Sequence, residues 1–218
     1  MPAATDHDSR IWWAQHAAPA GPGGTAGQTL VGVLSPAFPP GTVVTLPDPR
    51  RPSGWQVAVG AEAGSGRVHV VQVALPDAPQ LWYVEVAEPG EAPAATTLVA
   101  FSDARYSDGR VLSQAEARGA RVSGASQVAA LRWWPGTGLV HQIYVQPSFR
   151  RRGVAGKLAY AAFAIQAVRG LPALHGDGRR TDLGELWRNG LPGHAARLMA
   201  ARTTRLPPMT PAADRAAS

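Results

Sequence analysis

The chain has 218 residues, 45% of them hydrophobic and 17% charged, with a formal net charge of +6 and no cysteine. That much apolar material builds the core of one large domain or two small ones, while the absence of thiols excludes a disulfide framework and any thiolate metal centre. No apolar run approaches the roughly 18–20 residues of a membrane span, and the start, MPAATDHDSRIWW, lacks the basic region that opens a signal peptide, so a cytoplasmic protein is expected.

Taken in chain order, residues 1–28 are expected to form a flexible arm, because AAPAGPGGTAG combines Pro and Gly without periodicity, with IWW at 11–13 able to pin it to a surface. Residues 29–120 form a β-rich region. TLVGVL, TVVTL, WQVAVGA, RVHVVQVAL, LWYVEVA and TTLVAF are short, β-branched or alternating, and punctuated by Pro and Gly. In RVHVVQVAL, strict alternation places Val68, Val70 and Gln72 on one face and His69, Val71, Val73 and Leu75 on the other. SQAEARGA is a short helix with Ser113 as N-cap and Glu116 at capping-box spacing. QVAALRWW and LVHQIYV flank a Pro-Gly turn and predict a hairpin over 127–145. A helix of about 17 residues follows, ending at Gly170 before Pro172. LPALHG reads as a short strand, TDLGELWRN as a helix capped by Thr181, and GHAARLMAAR as a further short helix. Nothing after Trp187 reads as paired strands, and residues 201–218 read as a flexible tail.

Charge is divided unevenly. Residues 1–120 carry 7 basic and 11 acidic side chains, whereas residues 121–218 carry 14 and 4. An anionic partner would therefore bind the second half. Lysine occurs once, at Lys157, against 20 arginines. With so much Ala, Gly and Pro, that skew reflects coding composition, and arginine number alone carries no function.

The densest charge is VQPSFRRRGVAGKL, residues 145–158, where a strand hands over to a helix. Unpaired N–H groups and the positive dipole end at a helix start form an anion site. Gly153 and Ala155 allow close approach to the main chain, and Arg150, Arg151 and Arg152 add charge suited to phosphate. Three cations at an already positive helix end are locally unfavourable without an anion, which favours a site over a solvated turn.

IYVQPSFRRRGVAGKL resembles the acetyl-CoA-binding segment of the GCN5-related N-acetyltransferases, with its pattern Gln/Arg-x-x-Gly-x-Gly/Ala falling on Arg150, Gly153 and Ala155. The resemblance covers roughly residues 127–190, and residues 121–200 would be the family-like core. It implies an α+β fold in which a mixed sheet with flanking helices follows the β-rich region. It further implies that the main chain of Ile143, Tyr144 and Val145 pairs with pantetheine where that strand splays from its neighbour, and that Arg150, Arg151, Arg152, Gly153, Val154, Ala155 and Gly156 hold the pyrophosphate. The chain is also similar to acetyltransferase-like proteins of actinobacteria and their phages, on the segments RRRG and HGDGRRTDLGELW. Two features of the family are missing: a final β-hairpin, and the glutamate base and tyrosine acid that many members carry.

His141, expected in phase with Ile143 and Val145, is the candidate base. Tyr160 sits two turns into the long helix and reads as a packing residue. His69 and Glu85 lie on strands that could face a cleft, and Arg179 and Arg180 could grip phosphate. His175 and Asp177 lack a third ligand at a usable spacing, so no metal is expected. The tryptophan pairs 12–13 and 133–134 place one ring on each strand face, the second ring lying under the arm or a partner chain. Two functions compete: acetyl transfer from acetyl-CoA to an amine, and a non-catalytic protein of the same fold in assembly, partnering a second copy or a virion component. Nucleic acid is not the expected partner, because no aromatic–basic surface motif accompanies the arginines.

Overall fold

The computed structural model describes residues 10–18, 27–48, 50–196 and 199–208. The chain is α+β, with two five-stranded mixed sheets and few helices. The first sheet holds β1 (Arg10–Ala18), β2 (Gly27–Ser35), β3 (Val43–Thr45), β4 (Trp55–Glu62) and β5 (Val68–Val73) in the order β3-β1-β2-β4-β5. All neighbours are antiparallel except β1 and β3. The second sheet holds β6 (Trp82–Glu88), β7 (Ala95–Phe101), β8 (Val111–Ser113), β9 (Ala129–Trp134) and β10 (Leu139–Val145) in the order β10-β9-β7-β6-β8, with β8 parallel to β6. The sheets meet edge to edge, where the Val71 N–H donates to the Gly109 carbonyl at 2.8 Å and Val70 bridges Arg110.

Helix α1 (Gln114–Gly119) starts where the sequence places it. The Ser113 hydroxyl accepts the Glu116 N–H, and the Glu116 carboxylate accepts the Ser113 N–H at 2.6 Å. The long helix α2 (Val154–Val168) is apolar on every side and lies between the sheets, against β2, β4 and β5 on one flank and β7, β9 and β10 on the other. Val154, Leu158, Ala161, Ala162 and Ile165 join Val57, Val59 and Val71 of the first sheet and Leu81, Leu98, Leu131 and Trp133 of the second in one core. Each fully buried large side chain there contributes roughly 1.5–3 kcal/mol. The Gln166 amide within this core donates to the Pro135 and Pro172 carbonyls at 3.0 and 2.9 Å, tying the hairpin turn to the chain leaving α2. The rest is small: β11 (Arg179–Arg180), α3 (Asp182–Asn189), α4 (Gly193–Ala196) and β12 (Thr204–Arg205).

Several expectations change. Within the supposed arm 1–28, residues 10–18 are β1, paired with β2 along its whole length; residues 1–9 and 19–26 lie outside the described residues. Trp13 belongs to the core, 5.4 Å from the Phe163 ring, and Trp12 is buried on the outer face beside Phe38. Within 201–218, Thr204 and Arg205 form a short strand that pairs in parallel with Arg179 and Arg180, a segment preceding Trp187; residues 209–218 lie outside the described residues. LPALHG makes isolated bridges only. Alternation also fails in β5. A bulge at His69 puts Val68, Val71 and Val73 all in the core. The β-rich half, which could have packed against the later part or stood as a separate small subdomain, shares the core of α2.

Candidate functional site

Strand β10 is an edge strand. At its start the Val140 N–H donates to the His175 carbonyl and the His175 N–H to the Gly138 carbonyl, both at 2.9 Å. Gly138 has φ +78°, and a Cβ there would stand 2.2 Å from the Ala173 carbonyl oxygen, so only glycine lets the two segments meet. Beyond this bridge they part. The Gln146 N–H donates to the Val128 carbonyl at 2.9 Å, and Tyr144 pairs with Ala130. By the alternation of an antiparallel ladder, the main-chain groups of Ile143 and Val145 then face the open edge and those of Tyr144 face β9. Of the three residues expected to present their backbone, two do so. No described residue accepts from the Ile143 or Val145 N–H. Arg150 turns back along this edge and donates through Nε to the Val145 carbonyl at 3.1 Å.

A 3-10 turn at Pro147–Phe149 leads to Arg151 and Gly153, both left-handed, with φ +58° and +76°. Helix α2 starts at Val154 with no side-chain cap, and the first N–H to find an acceptor is that of Lys157, on the Gly153 carbonyl at 2.9 Å. The N–H groups of Val154, Ala155 and Gly156 have no acceptor among the described residues. The exposed Arg151 and Arg152 flank them, the latter over the Phe149 ring at 5.3 Å. Part of this space is already filled. A Cβ on Gly153 would lie 3.0 Å from that of Ala78. The turn at residues 75–78 and the arginine loop enclose a cavity of about 180 Å³ that Asp77 also lines. Close approach to Gly153 is therefore made first by the chain itself.

Beneath the loop lies a feature the motif did not announce. The Lys157 ammonium, 3% exposed, donates to Asp108 Oδ1 at 2.8 Å and to the Pro79 carbonyl at 2.9 Å. The same Asp108 oxygen accepts the Leu81 N–H at 2.7 Å. Burial, and then the charge of Asp108, push the Tyr83 hydroxyl far above its ordinary range, so it stays protonated. This cluster fixes the 75–80 segment against the start of α2.

The candidate chemical groups are dispersed. A bulge between Val140 and Gln142 takes His141 out of phase with Ile143 and Val145, leaving it exposed with its ring 5.2 Å from that of Trp134. Tyr160 packs against the core, and burial raises its hydroxyl pKa. Glu85 faces inward and is held by both terminal nitrogens of Arg169 at 2.5 and 2.9 Å. His69, at its bulge, meets Glu62 at 3.0 Å. Arg180 is buried, bonding Glu185 at 2.8 Å and the Ala200 carbonyl at 2.6 Å, and serves the C-terminal unit. Only the residues of β10 and the arginine loop converge. Compared with known protein families, curated proteins and solved structures, the chain matches none.

Proposed function

We propose that the junction of β10 and α2 binds acetyl-CoA and that the chain is a GCN5-related acetyltransferase-like protein that transfers acetyl to an amine. One observation carries this reading. The open edge at Ile143 and Val145 runs directly into the uncapped start of α2 beside Arg151 and Arg152. Outward N–H groups on the strand suit an amide-bearing arm, and those at the helix start suit a diphosphate. In the transfer, the amine nitrogen attacks the thioester carbonyl carbon, the C–S bond breaks, and the nitrogen gives up a proton as the CoA thiolate leaves. A strand N–H would stabilise the oxyanion.

A second reading keeps the fold and drops the chemistry: a non-catalytic protein with a structural or assembly role. It is favoured by the lack of any carboxylate on β10 and by the position of His141 beside Trp134, away from the core-facing side of the strand.

Hydrogen exchange with and without CoA tests the site. CoA should protect residues 143–156, and Ala155→Asp, in the uncapped first turn of α2, should abolish that protection by adding bulk and negative charge at the anion position. No protection in the parent chain, or equal protection in the variant, removes the cofactor reading. Protection without thiol release over a broad amine panel selects the non-catalytic one.

A further inference from the structure

The face of β10 opposite α2 carries a second concavity. Ile143 and Val145 pack toward the core, so Tyr144 and Gln146 turn the other way. Together with Ser148 of the following turn, and with Gly124, Ala125 and Gln127 from the 3-10 turn before β9, they line a groove of about 440 Å³. The groove is built on β10 itself, at the sheet margin whose open edge receives the thioester under the reading above.

Its chemistry is specific. The lining offers a phenol, two carboxamides and a hydroxyl, and no charged group. None of these four side chains hydrogen-bonds another described residue, so each keeps its donor and acceptor capacity for an occupant. Gly124 and Ala125 leave the opposite lip low. Residues 121–218 carry only 4 acidic side chains, and Asp182 and Glu185 among them are paired with arginines. A polycation would find no counter-charge here. A chain of amide groups would find donors and acceptors in alternation.

We infer that this groove is the acceptor site, and that it takes the amine of an amino acid or short peptide with uncharged side chains, not a polyamine. The inference rests on the acetyl-transfer reading for its role, but the groove can be tested without it. The probes are trialanine and spermidine, read by hydrogen exchange on the full chain. Trialanine should slow exchange in residues 124–127 and 144–148 about tenfold when present at roughly ten times its dissociation constant, and spermidine should leave it unchanged. Gln146→Ala, at an exposed position, should remove the protection. Gln127→Glu, which places a carboxylate in the groove, should admit spermidine. Protection by spermidine in the parent chain, or none by trialanine while CoA still protects 143–156, overturns the inference and leaves the cofactor reading intact. Trialanine protection without CoA protection supports the groove as a peptide site and sinks the cofactor reading instead.

Discussion

Replacing either partner of the Lys157–Asp108 pair should cost very different amounts, because the two are unequally buried, with side chains 3% and 35% exposed. In Lys157→Met the aspartate keeps contact with water and with the Leu81 N–H. What is lost is the ammonium's two hydrogen bonds, to Asp108 and to the Pro79 carbonyl, about 1–3 kcal/mol. In Asp108→Ala the ammonium stays buried with one carbonyl for company, and the Leu81 N–H loses its acceptor, at about 3–5 kcal/mol. The double variant removes the stranded charge, so it should be no less stable than Asp108→Ala alone. Urea unfolding followed by the fluorescence of the seven tryptophans measures all three. The reasoning is refuted if Lys157→Met costs as much as Asp108→Ala. It is equally refuted if the single effects add to that of the double within about 0.5 kcal/mol.

Acid should weaken the chain through Glu116. Burial works against its charge, but donation from the Ser113 N–H and hydroxyl, with Arg67, holds it down at about 2. A folded pKa below the ordinary 4.5 means the stabilisation is complete above that value and disappears as pH falls toward about 2. In Glu116→Gln the urea midpoint should fall less between those limits; parallel loss in parent and variant would contradict this. If the protein turns over, His141→Ala should leave the rate at neutral pH essentially unchanged, because the ring stands beside Trp134 and out of phase with Ile143 and Val145. A fall of about 10²-fold would instead mark it as a positioned base. An unaltered rate would assign deprotonation to the acceptor before it binds.

Much of the site's frame was legible because it rests on local rules. The Pro135–Gly136 turn between two alternating runs sets the β9–β10 hairpin, and Gly153 marks the start of α2 one residue on. Ser113 and Thr181 cap helices as their spacing indicates. What stayed hidden is non-local or hinges on a single inserted residue. His69 and His141 both sit at bulges, and one extra residue reverses the phase of everything beyond it without disturbing composition. The strand at 10–18 is confirmed only by its partners, since its flanking Gly and Pro resemble a linker. The lone lysine of α2 read only as part of the arginine-to-lysine skew, and its burial was not foreseen. Nothing local identified Asp108, which precedes it by 49 residues.

The position of α2 between the two sheets also governs the order in which the molecule can be finished. Strand β5 ends at Val73, whereas α2 begins only at Val154. At ribosomal rates of 5–20 residues per second, the inner face of the first sheet waits roughly 4–16 s for the helix that covers it. Trp13, Val57, Val59 and Val71 belong to that face and share one core with residues of α2. A nascent chain stopped before α2 therefore exposes the apolar surface it most needs to hide, and the first 120 residues are not an independent folding unit. Shielding by a chaperone would matter most during that interval, before the helix arrives and both sheets close on it together.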